Sequence, residues 1–309
     1  MPTLEKTLMP PAPRPTYGAH PDEKMDLTGS VGFILVHLAG LAAFLTGVSP
    51  AAIAMCLFMY FLRMFAVTAG YHRYFSHRSY KTSRFFQFLL AFLASSSGQK
   101  GVLWWAGYHR HHHKYSDTKD DIHSPILRGF WWAHVGWILC KKYKPTPEEA
   151  VKDLTRYPEL VWLNRNHGIA PFFLAASLFG FGEILKSAAP GLHTNGLQMI
   201  AWGFFTSTML LYHGTFFINS LTHMVGRQKF RTNDYSKNSF ILALITMGEG
   251  WHNNHHRFPS SERQGFYWWE LDLTHLVLKL LSFAGIVYDL REPPPEVYEE
   301  AQGHMPHVA

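Results

Sequence analysis

Histidine is frequent in this chain, and some of its histidines follow a repeated spacing. Of the 309 residues, 20 are His. The pattern H-x-x-H-H occurs at 109–113 and again at 252–256, and H-x-x-x-x-H occurs at 72–77. Residues i, i+3 and i+4 lie on one face of an α-helix, so each H-x-x-H-H run can point three imidazoles at a common centre. Eight histidines are therefore candidate metal ligands: His72, His77, His109, His112, His113, His252, His255 and His256.

The type and number of these side chains favour a pair of metals over a single ion. Imidazole binds iron, copper, zinc or nickel. Structural zinc sites usually close with four ligands that include Cys, and the two cysteines of the chain lie far from these motifs in sequence. His111 falls off the shared helical face, and the spacing of His72 and His77 requires a helix end or a bend. A pH-sensing or headgroup-facing histidine patch is the alternative, but it needs no repeated spacing.

Uncharged stretches on both sides of the motifs predict membrane spans. Residues 28–62 and 187–226 contain no Asp, Glu, Lys or Arg. A helix needs about 20 apolar residues to cross the hydrocarbon core of a bilayer. We therefore expect an all-α integral membrane protein with four transmembrane helices in two hairpins, near 29–47, 50–70, 168–186 and 197–222.

The polar segments between the spans predict the remaining organisation. A helical cap, built from 71–165 and 223–292, would carry the metal ligands, and 293–309 would form a C-terminal tail. The Pro-rich residues 1–27 predict a disordered cytosolic tail. Of the 28 Lys and Arg residues, 26 lie in 1–27, 71–165 and 223–309. The positive-inside rule then places both termini and the metal site on the cytosolic side, and it accounts for the net charge of +6 without a nucleic-acid partner.

The three histidine motifs, in this order around four spans, resemble the membrane fatty-acyl desaturase family. The resemblance is closest to its stearoyl-CoA (delta-9 acyl-CoA) branch. It covers about residues 60–259 and includes TAGYH at 68–72, HKYSDT at 113–118, NSLTH at 219–223 and GEGWHNNHH at 248–256.

The resemblance implies a reaction and the rest of its site. It implies two irons shared by nine histidines, with His223 as the ninth ligand and Asn219 holding a water on the less-coordinated metal. The expected reaction is O₂-dependent insertion of a cis double bond, at delta-9, into a long acyl chain, with two electrons from a separate donor such as a ferredoxin or a cytochrome. Gln99, Trp105 and Thr215 match residues that hold a bend in the acyl tunnel. Tyr60 matches a residue at its closed end. Core packing or helix hydrogen bonding is the alternative role for these four.

Several features leave alternatives open. Animal acyl-CoA desaturases carry a basic–acidic pair just before the second motif, where this chain has Gly107 and Tyr108. Acyl-CoA is the first expectation for the carrier, with acyl carrier protein or a glycerolipid as alternatives. An acyl hydroxylase or acetylenase would share the metal site, and a non-enzymatic membrane metal-binding or transport protein is a rival of another class. Further residues are expected in supporting roles. Arg63 is a structural cation within a span. The carboxylates near the motifs are possible partners of the histidines: Asp117, Asp120, Asp121 and Glu249. A basic surface is expected at Lys141, Lys142 and Lys144.

Overall fold

The computed structural model describes residues 22–302, and the described chain is mostly helical, as predicted. Two short strands, β1 (Lys81–Thr82) and β2 (Val287–Tyr288), pair antiparallel. The α-helices are α1 (Val31–Leu41), α2 (Pro50–Phe65), α3 (Arg84–Ser95), α4 (Val102–Tyr115), α5 (Pro125–Arg128), α6 (Phe130–His134), α7 (Lys152–Thr155), α8 (Pro158–Arg165), α9 (Ile169–Ala188), α10 (Gly196–Ile200), α11 (Ser207–Met224), α12 (Phe240–Ile245), α13 (His252–Arg257), α14 (Leu273–Phe283) and α15 (Pro295–Gln302).

Three of the described helices are long and apolar enough to cross a membrane: Thr28–Thr46, Pro50–Ser76 and Ile169–Ala188. The second begins where Ser49 accepts a hydrogen bond from the amide of Ala52, with Pro50 at the first helical position. The fourth predicted span, 197–222, is a continuous helical run from α10 through a π-helix to α11. This run is not among the three.

The second long helix does not end where its α-helix ends. It continues as a π-helix, Ala66–Ser76, which carries His72. The amide of His77 then donates to the carbonyl of His72 at 3.3 Å. Because a π-turn closes between residues five apart, it brings two side chains together that an α-helix would hold on different faces. The two imidazole centroids lie 5.0 Å apart, so the H-x-x-x-x-H spacing is accommodated by a π-turn and the helix end that follows it.

The core that supports the metal-binding helices lies between this π-helix, α3, α4 and α8. Its fully buried side chains include Tyr71 and Phe75 from the π-helix, Leu90 from α3, Leu103 from α4 and Leu160 from α8. Burying each such side chain contributes roughly 1.5–3 kcal/mol. This packing fixes α4 against the π-helix, and therefore His109 against His72.

Arg63 has a structural environment inside the second long helix. Its side chain is fully buried, and it donates to Ser207 Oγ at 2.5 Å, to Thr208 Oγ1 at 2.7 Å and to the carbonyl of Ser96 at 3.3 Å. A buried cation is stable only when its donors are satisfied. Arg63 thus joins α2 to α11 and to the loop that follows α3.

Both predicted tails are held against the cap where the structure describes them. Glu23 accepts hydrogen bonds from Arg128 and Tyr143, and the amide of Asp26 donates to Leu139. Residues 22–27 therefore differ from the predicted disordered tail, whereas 1–21 lie outside the described residues. In the predicted C-terminal tail, α15 places Val297 in a buried cluster with Phe230 and Phe266.

Candidate metal centre

Nine histidines converge in two adjacent groups. Within each group, one nitrogen of every imidazole lies within 4.8 Å of the others. The first group contains His72, His77, His109, His113 and His255, and the second contains His112, His223, His252 and His256. The groups adjoin each other, since the rings of His113 and His256 are 4.4 Å apart. His111 belongs to neither group.

The two H-x-x-H-H helices do not each serve one centre. Helix α4 supplies His109 and His113 to the first group and His112 to the second. Helix α13 does the reverse, with His252 and His256 in the second group and His255 in the first. On an α-helix, i and i+4 are only about 40° apart, whereas i+3 lies about 60° away on the other side of i. Each helix therefore lies between the two centres and divides its three imidazoles between them.

The distances between ring nitrogens suit a bound metal ion. Nε2 of His255 lies 3.0 Å from Nε2 of His72 and 2.9 Å from Nε2 of His113. Nε2 of His223 and Nε2 of His252 are 3.1 Å apart. Two nitrogens bound at right angles to one metal, at about 2.1 Å each, are separated by about 3.0 Å. Three imidazole nitrogens that meet at one point, as at His255, fit a shared ion better than pairwise hydrogen bonds.

Carboxylates fix the orientation of four of these rings through Nδ1. Asp117 contacts His223 at 2.8 Å, Asp121 contacts His112 at 3.1 Å and Asp234 contacts His256 at 2.5 Å. Glu249 pairs with His72 and also with the buried Arg73. A carboxylate on the outer nitrogen fixes the tautomer and leaves Nε2 free for a metal. These partners are Asp117, Asp121 and Glu249 from the sequence prediction, and Asp234, which it missed.

Two carboxylates differ from the sequence prediction. Asp120 was a predicted partner of a histidine and is not one, whereas Asp234 is a partner that was not predicted. Asp120 is exposed, and only its backbone carbonyl meets a histidine, His111, at 2.9 Å. Asp234 lies 22 positions before His256 in a loop without a motif, so no local spacing could have marked it.

The electrostatics of the centre also suit metal binding. Burial, reinforced by the neighbouring imidazoles, holds the pKa of His109, His113, His252 and His255 well below the usual range. These rings are therefore neutral, and a neutral imidazole is the form that binds a metal. Nε2 of His256 is buried without a hydrogen-bond partner among the described residues, while its Nδ1 meets Asp234. A metal ion would satisfy this nitrogen.

Two cavities meet beside the centre. The larger has a volume of about 320 Å³ and is lined by Phe33, Val36 and Phe216, among other apolar side chains. The smaller, of about 30 Å³, is lined by residues that include Met64, Val67 and His112. Four residues line both: Trp105, His109, Thr215 and Asn219. An apolar chain that entered the larger cavity would reach the histidines at this junction.

The three predicted bend residues form one hydrogen-bonded chain at the junction. Nε1 of Trp105 donates to Oε1 of Gln99 at 3.2 Å, and Nε2 of Gln99 donates to Oγ1 of Thr215 at 2.9 Å. The ring of Trp105 also stacks on His109, with centroids 5.0 Å apart. The structure therefore brings Gln99, Trp105 and Thr215 together beside the candidate metal ligands.

Tyr60 occupies a different environment from these three. It lines neither cavity, and its hydroxyl donates to the carbonyl of Ile245 at 2.7 Å. Met64, one turn later in the same helix, lines the smaller cavity. Tyr60 therefore lies behind the wall that Met64 forms.

Gly107 and Tyr108, which replace the basic–acidic pair of animal acyl-CoA desaturases, are both packed against the segment that contains Pro145 and Pro147. A Cβ at position 107 would lie 2.6 Å from the ring of Pro147, so a side chain there would require Pro147 to shift. Tyr108 lines the larger cavity and donates to the carbonyl of Pro145 at 3.1 Å. The cations that line this cavity are instead Lys100 and Lys144.

A buried polyhistidine centre that could hold metal, beside an apolar cavity and on a chain with three helices suited to a bilayer, indicates an enzyme that acts on lipid substrates. The family model for fatty acid desaturases matches residues 48–290. The chain belongs to this family and is an oxidoreductase that acts on fatty-acyl chains.

Three relatives illustrate the range of the similarity. The sn-1 stearoyl-lipid 9-desaturase of Synechocystis sp. is 36% identical over 264 residues, which cover 85% of this chain and 79% of the relative. An acyl-CoA 5-desaturase of Anemone leveillei is 36% identical over 74% of this chain and 68% of its own. A hex-5-enoyl-[acyl-carrier protein] acetylenase of Moorena producens is 33% identical over 82% of this chain and 80% of its own.

Proposed function

We propose that this enzyme inserts a cis double bond at carbon 9 of a long saturated acyl chain, and that its nine histidines and Asn219 hold two irons. The observation that carries the proposal is the junction of the two cavities at Trp105, His109, Thr215 and Asn219. There the acyl chain would pass directly beside both histidine groups. The overall reaction is R–CH₂–CH₂–R′ + O₂ + 2e⁻ + 2H⁺ → R–CH=CH–R′ + 2H₂O.

The protein's task in this reaction is to hold the chain and exclude water. An unactivated methylene requires a strong oxidant, and iron with O₂ and two electrons supplies it. The apolar wall of the larger cavity solvates the acyl chain and keeps bulk water away from the centre. The chain of hydrogen bonds from Trp105 through Gln99 to Thr215 fixes where the cavity turns, and this position would select the carbon atoms that react.

Acyl-CoA is the carrier that we propose, with a glycerolipid and acyl carrier protein as the competing carriers. The names of the three relatives include all three kinds of carrier. Lys100 and Lys144 supply positive charge at the larger cavity, which suits a phosphorylated carrier. Assays with stearoyl-CoA, stearoyl-acyl carrier protein and a stearoyl glycerolipid would separate the three by rate.

We further propose four spans, with both termini and the metal centre in the cytosol. Large apolar side chains are exposed on the first and third long helices, such as Leu45 at 89% and Phe172 at 69%. Exposed apolar surface of this extent is typical of contact with lipid. The basic residues lie almost entirely in the segments assigned to the cytosol. Cysteine-accessibility labelling at each predicted turn in intact cells tests this arrangement.

The decisive experiment is lipid analysis after expression in a host that cannot make unsaturated acyl chains, with a ferredoxin and its reductase co-expressed. We expect a new cis bond at carbon 9 that is lost in His112→Ala. A bond at another carbon would overturn the position. Alkynyl or hydroxylated products would show that the enzyme is an acetylenase or a hydroxylase and not a desaturase. The similarity to an acetylenase makes the alkynyl product the one to look for first.

A further inference from the structure

Two loops contact the four-histidine group through their aspartates. One is 116–124, between α4 and α5, and the other is 225–239, between α11 and α12. They are joined where the amide of Tyr235 donates to Asp117 Oδ2 at 2.9 Å. The two loops therefore contact each other next to His223, which Asp117 also meets.

Acidic and basic side chains of these loops point in opposite directions. Asp117, Asp121 and Asp234 turn inward, each to an imidazole of the four-histidine group. Lys119, Arg227 and Arg231 are exposed, and none of them is ion-paired within the described part of the chain. The exposed carboxylate of Asp120 offsets only part of this charge. Because most of the acidic groups are used inside, the outer surface is positively charged.

The same loops give this surface a short connection to the candidate ligands. Asp117 Oδ2 accepts from Tyr235 on the loop and meets Nδ1 of His223 at 2.8 Å. Asp234, in the same loop as Arg231, meets Nδ1 of His256 at 2.5 Å. One hydrogen-bonded carboxylate therefore separates the surface backbone from a ring of the metal centre.

We propose that Lys119, Arg227 and Arg231 form the docking surface for an acidic, one-electron iron–sulfur protein. The proposal rests on the proposed function, since each turnover consumes two electrons. The donor would dock twice per turnover, and each time its cluster is oxidised by one electron that passes to the metal centre. Complementary charge steers such an encounter and raises its rate, and the short connection below the surface suits electron transfer.

The sequence predicts another basic surface, at Lys141, Lys142 and Lys144. In the structure, two of these three side chains have partners within the chain. Lys142 pairs with Asp22 at 2.8 Å, and Lys144 donates to the carbonyl of Gly29 at 3.2 Å. Lys141 remains exposed, next to the exposed Lys24. That surface therefore provides a matched control.

The test measures binding of an acidic plant-type [2Fe–2S] ferredoxin to the full-length, iron-loaded enzyme in nanodiscs. The triple variant Lys119→Glu, Arg227→Glu and Arg231→Glu should raise the dissociation constant roughly tenfold or more, with a weaker dependence on salt. The control variant, Lys24→Glu, Lys141→Glu and Arg156→Glu, changes three exposed cations outside the two loops. It has the same net charge as the test variant and should bind nearly as the wild type. Iron content and helical circular dichroism check that both variants fold.

Three results would overturn the proposal. The first is that wild-type enzyme does not bind the ferredoxin at low salt. The second is that the control variant loses as much affinity as the test variant. The third is that the test variant, in nanodiscs of neutral lipid, keeps its ferredoxin affinity but loses binding to vesicles that contain phosphatidylglycerol. That result would assign the surface to lipid headgroups.

A separate measurement distinguishes this proposal from the proposed function. Wild-type enzyme is reduced with dithionite under argon, loaded with stearoyl-CoA and then exposed to O₂. A single turnover to the unsaturated product supports desaturation without any protein donor. If no product forms with any of the three carriers while ferredoxin still binds through the three cations, the proposed function fails and the docking surface stands.

Discussion

The two histidine groups differ in how the protein holds them. In the four-histidine group, three imidazoles have an Asp partner, and those aspartates come from the loops 116–124 and 225–239. In the five-histidine group, only His72 has a carboxylate within 4.0 Å among the described residues, and Nδ1 of His255 has no hydrogen-bond partner there. The five-histidine group is thus positioned by packed helices, and the four-histidine group by helices together with two loops.

If two metals bind as proposed, this difference affects how their charge is balanced. Fewer imidazoles would bind a metal in the four-histidine group, but its three aspartates place negative charge against the outer ring nitrogens. Such partners raise the basicity of the imidazole and strengthen its bond to a metal. Asn219, which would hold a water, also lies on this side, one turn before His223 in α11. We expect the four-histidine site to depend on its carboxylates and the five-histidine site on its helix packing.

The largest effect is expected from removing a ligand of either group. His255→Ala and His256→Ala change neighbouring residues of α13 that serve different centres. Each should abolish product formation and lower the iron content from two towards one per chain, because neither metal suffices alone. Iron is measured by atomic absorption, and product by gas chromatography. His111→Ala is the control on α4, since His111 is in neither group; normal activity in the His255 or His256 variant would contradict the ligand assignment.

A smaller effect, confined to one site, is expected from the aspartates. Asp234→Asn removes the charge beside His256 and should lower the iron affinity of the four-histidine site by roughly 10–100-fold. Titration with Fe²⁺ should then show one tight and one weakened site. Asp120→Asn, an exposed carboxylate in the 116–124 loop, should bind both ions as the wild type does. Equal weakening of both sites by Asp234→Asn would remove the distinction between the groups.

The next effect concerns the bend of the acyl cavity. Thr215→Val removes the acceptor of the hydrogen bond from Gln99, which is worth about 0.5–1.5 kcal/mol. We expect activity to fall roughly two- to tenfold, with part of the product carrying its double bond at a neighbouring position. Mass spectrometry of derivatised fatty acids measures that position. Thr206→Val, which removes a hydroxyl bonded only to backbone carbonyls, should leave the position unchanged.

The histidines could be identified from the sequence because residues three and four apart share one face of a helix, whatever the rest of the chain does. It found all nine that converge in the structure, and the resemblance supplied His223 among them. It could not divide them, because the rotation of α4 and α13 relative to both centres is set by packing with distant segments. It required an end or a bend at His72 and His77, but a π-helix has no sequence signal comparable to a Pro or Gly break. The contact of Asp234 with His256 could not be predicted either, because it too depends on packing between segments that are distant in sequence.

The smallest effect is expected at Tyr60, where a role implied by resemblance can be tested against position. A Cβ added at Gly214 would lie 2.7 Å from the Tyr60 hydroxyl and 2.9 Å from Met64 Cε, so both side chains abut α11 at one point. Only Met64 lines the smaller cavity. Shortening Met64 would therefore extend that cavity first. Tyr60→Phe keeps the ring and loses only the bond to Ile245, so it should leave the accepted chain lengths unchanged and cost about 0.5–1.5 kcal/mol of stability.

The comparison of alanine variants decides which side chain closes the cavity. Met64→Ala should shift the preferred substrate towards longer acyl chains more than Tyr60→Ala does, as measured by competition among acyl chains of increasing length. The reverse order would mean that the acyl chain displaces Met64 and stops against Tyr60. The end of the cavity would then be set by Tyr60, behind Met64, and not by the side chain that lines the cavity in this structure.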